Sequence, residues 1–287
     1  MTQEVMYQEK YQLNVTVEGR GEVLLFLHGW PDNACLWQSQ QQYLKAHYKV
    51  ITPDWLGFGR SDKSADHHYS FASMKSELDA IVMQLLKPEE KLTIIAHDIG
   101  GPVAVLWSSD HPKRVRRLIL LNTLFYPFQT PLDKLGHFIF NLPIVNRIQM
   151  SNFGLKSLMR NLLQNKTPQS LAAIHRIQGS NQSWSYQLRL KTILDPLDKD
   201  GRKLLSALAQ TFRVLPAEKH LIIAQEDPLC SAHMRRIHEA CPEVPAHFLD
   251  KCRHFISIDQ PDVLNELIEK IISESVKEPS AQSGTEG

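Results

Sequence analysis

Five short apolar runs recur along the chain, and each stops at a cluster of polar or turn-forming residues. Val23–Leu27 runs into His28-Gly29-Trp30-Pro31, and Lys49–Pro53 into Asp54 and a glycine-rich turn. Leu92–Ala96 leads straight to His97-Asp98-Ile99-Gly100-Gly101. Arg117–Leu121 ends at Asn122-Thr123, and Leu221–Ala224 at Gln225-Glu226-Asp227-Pro228. Each run is too short for an independent helix. The first, third and fourth are nearly continuous in apolar residues, as strands covered on both faces of a parallel sheet are. Between the runs, Phe71–Leu86, Pro102–Asp110 and Val263–Ile272 place apolar residues at helical spacing. Alternating strand and helix predicts an α/β fold with a doubly wound, mostly parallel sheet.

From about Pro127 to about Leu215 the alternation stops. The segment reads as helical throughout, punctuated by Pro143, Pro168 and Pro196. Helices inserted between two strands of such a sheet predict a lid over the strand ends. The expected division is a core of residues 1–126 and 216–275, a helical cap of 127–215, and a tail of 276–287. The tail is too small and polar to bury the surface that ordering requires, so disorder is expected there.

Composition narrows the function classes. Of 287 residues, 43% are hydrophobic and 22% charged, an ordinary globular balance that supports a sizeable core. A formal net charge of +1 gives no general attraction to nucleic acid or to an anionic membrane. The expected partners are therefore a small-molecule substrate and water. Cys35, Cys230, Cys241 and Cys252 form no CxxC pair, which points to reduced thiols in a cytoplasm and not to a disulfide framework or zinc site. The N-terminus lacks the basic start and apolar run of a secretory signal. No apolar stretch approaches the length of a membrane span.

In open parallel sheets, ligands sit beyond the carboxyl ends of the strands, so the residues after each run are the candidates for chemistry. Ala96-His97-Asp98-Ile99-Gly100 has the form small-x-nucleophile-x-Gly, with Asp where many hydrolases carry Ser. Small neighbours let a strand turn sharply into a helix while one side chain is held in an exposed pose. The loop His28-Gly29-Trp30-Pro31 would bring backbone close to that turn, so that the N–H groups of Trp30 and Ile99 form an oxyanion hole. Asp227 follows the fifth run, and His254 follows a further strand at about Val244–Leu249. Nucleophile, acid and histidine thus appear in the chain order Asp98, Asp227, His254. Singly, each has a plainer reading: Asp98 as a helix cap, Asp227 as a turn residue before proline, His254 as a surface imidazole. Four features in the right order at strand ends favour a joint site.

Taken together, His28-Gly29-Trp30-Pro31, Asp54-Trp55-Leu56-Gly57-Phe58-Gly59-Arg60-Ser61-Asp62-Lys63, His97-Asp98-Ile99-Gly100-Gly101 and His111-Pro112 through Asn122-Thr123 carry a resemblance. The chain resembles the haloalkane dehalogenase and epoxide hydrolase group of the α/β-hydrolase superfamily, well over about residues 20–125 and moderately over about 218–272. The resemblance implies an α/β-hydrolase fold with an inserted helical cap and an Asp98 nucleophile that forms an alkyl ester. His254, oriented by Asp227, would then activate water to hydrolyse it, with no cofactor and no metal. A carboxylate suits this work because, with an ordinary pKa of about 3.9, it needs no base to become a nucleophile.

The substrate is less sharply marked. Haloalkane dehalogenases usually carry a Trp after the nucleophile to hold the departing halide, and Ile99 stands there instead. Trp30 and Trp184 are candidate substitutes. Epoxide hydrolases need lid phenols as proton donors, for which Tyr186 and then Tyr126 are candidates. Trp30 leans toward the epoxide branch; the Gly57–Lys63 turn and Asn122-Thr123 lean toward the dehalogenase branch. The expected function is a dehalogenase-like hydrolase, with epoxide hydrolase as the alternative. A β-lactone lyase or decarboxylase, or a non-catalytic small-molecule binder, comes further behind. Gly57–Asp62 lacks the third glycine of a dinucleotide loop, and His67-His68 reads as a solvated loop. The cap's basic residues, among them Arg147, Arg160, Arg176, Arg189 and Lys191, read as a solvated helical face.

Overall fold

The computed structural model describes residues 2–126, 143–181 and 185–274, with backbone alone at 143, 144, 186, 187 and 190. Eight strands make one sheet in the order β1-β2-β4-β3-β5-β6-β7-β8. They are β1 Thr2–Tyr7, β2 Tyr11–Glu18, β3 Val23–Leu27, β4 Lys49–Pro53, β5 Leu92–Asp98, β6 Val115–Thr123, β7 Glu218–Ala224 and β8 Ala246–Leu249. From β4 across to β8 every pairing is parallel, while β2 runs antiparallel to both β1 and β4. The expected α/β fold is the observed one.

The continuous apolar runs are buried for the reason their composition implies. Along β3, Val23, Leu25 and Leu27 join one core cluster while Leu24 and Phe26 join the other. Leu118 and Leu120 of β6 alternate with Ile119 and Leu121 in the same way. The two clusters lie on opposite faces of the sheet, because successive side chains of a strand point opposite ways. Each Leu or Ile sunk here contributes about 2 kcal/mol relative to exposure. Arg117 is buried among these strands and stays paired, at 2.6 Å from Glu22 and 3.0 Å from Glu218.

The β1–β2 hairpin falls outside the sequence expectation. In β2, Tyr11, Leu13 and Val15 are buried while Gln12 is exposed and Asn14 lies between. That is the period-two pattern of a strand covered on one face, and it contains no continuous apolar run.

Helices join the strands: α1 Gln38–Leu44, α2 Phe71–Leu85 and α3 Gly100–Asp110 in the first half, then α9 Ser231–Ala240, α10 Ile256–Asp259 and α11 Pro261–Glu274 after β7. Ser70 starts α2 by accepting the N–H of Ser73. Between β6 and β7 the described residues carry helices and no strand: α4 Pro143–Gln149, α5 Asn152–Asn161, α6 Pro168–Ser180, α7 Tyr186–Leu194 and α8 Lys199–Val214. Thr167, Ser185 and Asp198 cap α6, α7 and α8 through their side chains.

This inserted region is tied to the loops that follow β3 and β4. Asn33 donates to Ile177 O at 2.8 Å, and Asn181 accepts the Gly59 N–H at 2.7 Å while donating to Pro31 O at 3.3 Å. The helices therefore sit at the carboxyl end of the sheet. Among the described residues, no helix is long and apolar enough to cross a membrane. The expected tail, 276–287, lies outside the described residues.

Candidate active site

At the end of β5 the chain turns sharply. Asp98 takes φ of 51°, in the left-handed region that L-residues seldom occupy, and Ile99 returns at once to right-handed helical angles. Such a conformation costs on the order of 1–3 kcal/mol and persists only where the surroundings hold it. Here Thr123, at the end of β6, donates its hydroxyl to the Asp98 carbonyl at 2.6 Å. Space is made by glycine. A Cβ on Gly101 would stand 2.0 Å from Thr123 Oγ1, and one on Gly29 would stand 2.3 Å from Asp98 Cβ. The Asp98 side chain is not spent as a cap, since α3 starts without a side-chain cap and Asp98 Oδ1 accepts the backbone N–H of Trp30 at 2.8 Å.

Three loops from separate strand ends converge on this carboxylate. His254 Nε2 lies 3.8 Å from Asp98 Oδ2, too far for a hydrogen bond but close for two facing groups. Its other nitrogen, Nδ1, is 3.0 Å from Asp227 Oδ2. All three side chains are buried, His254 and Asp227 almost completely. Asp227 serves two ends, since its Oδ1 accepts the N–H of Leu229 at 2.8 Å and so closes the turn after β7.

Burial by itself would push His254 below its ordinary value. The Asp227 carboxylate, by its charge and its hydrogen bond, outweighs this with help from the Cys230 thiol, and the imidazole is held well above that value. Asp227 is correspondingly held below the usual carboxylate range, because the charge and hydrogen bond of His254 and the N–H groups of Leu229 and Cys230 overcome the opposing effect of burial. Burial pushes the Cys230 thiol up to about 12, so it stays protonated. Asp227, Cys230 and His254 are also the one group of metal-ligand types brought within 4.8 Å of one another among the described residues.

Other residues come into view only in three dimensions. Asn122 takes φ of 34° at the end of β6 and donates its amide to Arg253 O at 3.0 Å and to His254 O at 3.1 Å. Its Oδ1 accepts the N–H of Ala224 at 3.0 Å, so one side chain ties β6 to β7 and to the histidine loop. His97 approaches the same His254 carbonyl with Nε2 at 3.0 Å. The Asn122-Thr123 pair therefore staples both Asp98 and His254, a role its sequence pattern alone does not reveal.

Of the remaining predicted residues, Trp30 and Ile99 are buried beside Asp98, and Tyr126 is half-buried with the Arg236 guanidinium 3.8 Å over its ring. Trp184 and the Tyr186 side chain lie outside the described residues. Two plainer expectations are corrected. His67 is not solvated but packed against the rings of Tyr7, Tyr11 and Tyr69, whereas His68 is exposed as expected and lies between Asp195 and Asp198. Arg189 is buried, not part of a solvated face, and donates to Met150 O at 2.7 Å.

The chain is similar over almost its whole length to several known proteins. It is 26% identical over 275 residues to a cis-3-alkyl-4-alkyloxetan-2-one decarboxylase of Shewanella oneidensis, covering 92% of this chain and 86% of that one. Among solved structures, the haloalkane dehalogenase DatA from Agrobacterium tumefaciens superposes with a TM-score of 0.78 at 19% identity, covering 96% of each chain. An esterase from Exiguobacterium antarcticum also gives 0.78, at 20% identity, over 95% of this chain and 100% of that one. Likeness at such identity speaks for the fold, and the named activities differ from one another. The family model for the alpha/beta hydrolase fold matches residues 22–261, and the chain belongs to that family.

Proposed function

We propose that this chain is an enzyme that forms an ester between the Asp98 carboxylate and a saturated carbon of a small electrophile, then hydrolyses that ester with water activated by His254. The observation that carries the reading is the carboxylate at the strained turn, with one oxygen on a backbone donor and the other facing an imidazole backed by a second carboxylate. In the first step Asp98 Oδ2 attacks the carbon, the new C–O bond forms, and the leaving group departs with the bonding pair. In the second step His254 Nε2 takes a proton from water, whose oxygen adds to Asp98 Cγ. The resulting oxyanion forms on Oδ1, where the Trp30 N–H already stands at 2.8 Å; the Ile99 N–H would be the second donor. One such donor is typically worth about 3 kcal/mol in the transition state. Collapse expels the alkoxide, which takes the proton from His254 and leaves as the alcohol, and the Asp98 carboxyl loses its remaining proton to solvent and returns to the carboxylate. No cofactor or metal takes part.

The charge at Asp98 also times the steps. Two unit charges about 4 Å apart interact by about 4 kcal/mol at an effective dielectric of about 20. Ester formation removes the negative charge 3.8 Å from His254, which makes the imidazole easier to deprotonate when it must act as a base. The His254–Asp227 pair has a task only if water enters the reaction, and this favours the hydrolytic, dehalogenase-like reading.

A second reading is favoured by Ile99, which offers no side-chain donor to a departing halide, and by the near full-length similarity to an oxetanone decarboxylase. On a β-lactone, Asp98 would attack the saturated ring carbon bonded to oxygen, breaking that C–O bond and freeing a carboxylate, a leaving group that needs no proton. Loss of CO2 would then send its bonding pair into a new C=C bond and expel Asp98.

Turnover in H2(18)O separates the readings, with 1-bromobutane, styrene oxide and a cis-3,4-dialkyl oxetan-2-one as probes. Hydrolysis through the ester places 18O in the Asp98 carboxylate, detected in its peptide by mass. Alkene and CO2 without label in Asp98 mark the lactone route. An alcohol labelled in the first turnover, with Asp98 unlabelled, overturns both.

A further inference from the structure

The last turn of β5 and the loop after β3 hold a second carboxylate and imidazole that the chemistry above does not use. His97 precedes Asp98, and its ring centroid lies 4.5 Å from that of His254, with the planes tilted by 54°. Its Nε2 is 3.0 Å from the His254 carbonyl oxygen, which can only accept, so Nε2 carries a proton. Its Nδ1 is 3.3 Å from Asp32 Oδ2. Asp32 is completely buried and His97 nearly so, and neither Asp32 oxygen meets a donor in hydrogen-bond geometry. An isolated buried carboxylate would be costly, and the neighbouring His28 cannot neutralise it. Both His28 nitrogens are occupied, Nε2 accepting from Trp55 N–H at 3.2 Å and Nδ1 at 2.8 Å from Gly29 O.

We propose that Asp32 and His97 act as positioning residues for His254, the Asp32 carboxylate pairing as an ion with a protonated His97 at 3.3 Å so that a cationic imidazole is held against the His254 ring and its backbone carbonyl. The pair has two effects. With Asn122, His97 fixes the loop that carries His254. Its charge also opposes protonation of His254 and so offsets part of the pull of Asp227, leaving the imidazole available as a base. The titratable groups around His254 are Asp227 and Cys230 on the β7 side and Asp98 on the β5 side, and His97 supplies the cation among them. Around His97 itself stand Asp32, His28 and His254, with Asp54 behind His28, and the apolar rings of Trp37 and Phe255 close the flanks. The role rests on His254 acting as the base proposed above.

Nuclear magnetic resonance of the full chain labelled with 15N-histidine tests this without any substrate, so its failure is separate from failure of the ester mechanism. In the wild-type protein at neutral pH, His97 is expected to show protons on both ring nitrogens. In Asp32→Asn it is expected to keep only the Nε2 proton, and the His254 titration midpoint is expected to move upward. His97→Phe, which keeps a ring against His254 but removes the charge, is expected to move that midpoint the same way. A singly protonated His97 in the wild-type protein overturns the proposal. So does an unmoved His254 midpoint in whichever variant retains its circular dichroism, and if neither variant folds, the wild-type His97 spectrum decides alone.

Discussion

Replacing Asn122 with Ala removes the staple that joins β6, β7 and the histidine loop. Three hydrogen bonds disappear at once, two from the side-chain amide to Arg253 O and His254 O and one into Oδ1 from Ala224 N–H. The bonds to His254 O and from Ala224 N–H are buried and that to Arg253 O partly so, and each contributes about 1 kcal/mol net. The backbone adds to this: φ of 34° is tolerated by Asn but costs Ala about 1 kcal/mol. The expected loss is therefore about 4 kcal/mol, read from urea unfolding as a lower midpoint with an unchanged slope. Asn122→Asp sharpens the test. A carboxylate there faces two carbonyls, so it is driven toward its neutral form, and the variant should be closer to wild type at pH 4–5 than at pH 8. A loss below about 1 kcal/mol in Asn122→Ala, or a pH-independent Asp variant, would refute the assignment of these bonds.

Three further outcomes follow from the geometry. Gly29→Ala places a methyl 2.3 Å from Asp98 Cβ and 2.5 Å from its Oδ1, so the Asp98 side chain must shift. Steady-state rates on an accepted probe should fall by about 100-fold while the fold loses only about 1–3 kcal/mol, and near-normal turnover would show that Asp98 need not stand there. Burial pushes Glu77 up to about 8 even though it accepts the Leu56 N–H, so the folded state holds a proton that the unfolded chain has lost above its ordinary value. The Glu77 contribution to stability should fall by on the order of 5 kcal/mol as pH rises from about 4.5 to 8, and Glu77→Gln should remove that share of the slope. Because His254 must be neutral to take a proton, ester hydrolysis should accelerate as pH rises through the His254 value of the ester form, which lies below that of the free protein once the Asp98 charge is gone. The stabilisation from His254 is complete below the ordinary histidine value and is lost as pH rises through the raised one, whereas that from Asp227 is lost as pH falls through its depressed one. A pH–rate profile flat across neutral and alkaline pH would argue against an imidazole base.

The parallel core was legible because burial on both faces leaves a continuous apolar run, as in Val23–Leu27 and Leu92–Ala96. The β1–β2 hairpin was not, because a strand half-covered by the core shows alternation that a search for continuous runs passes over. Asp98, Asp227 and His254 were legible as residues immediately beyond strand ends in a meaningful order, and the fold brings them together. Asn122 and His97 stand within the motifs and Asp32 just beyond one, but their contacts run to backbone carbonyls and a buried nitrogen more than sixty residues away. Residue type does not encode such partners. His67 and Arg189 show the reverse case, where a polar letter suggests solvent and the tertiary structure encloses it.

The central claim, a covalent ester on Asp98 cleared by His254, meets its most direct test in His254→Gln. The variant keeps a polar side chain at the loop but cannot take a proton from water. Incubated with 1-bromobutane, chloroacetate, styrene oxide and a dialkyl oxetan-2-one, then digested and weighed, it should hold a stable adduct on the peptide containing Asp98 for each hydrolysed probe. The adduct mass names the group transferred. A folded His254→Gln protein that consumes or ignores every probe the wild-type enzyme hydrolyses, with Asp98 unmodified throughout, would contradict the account.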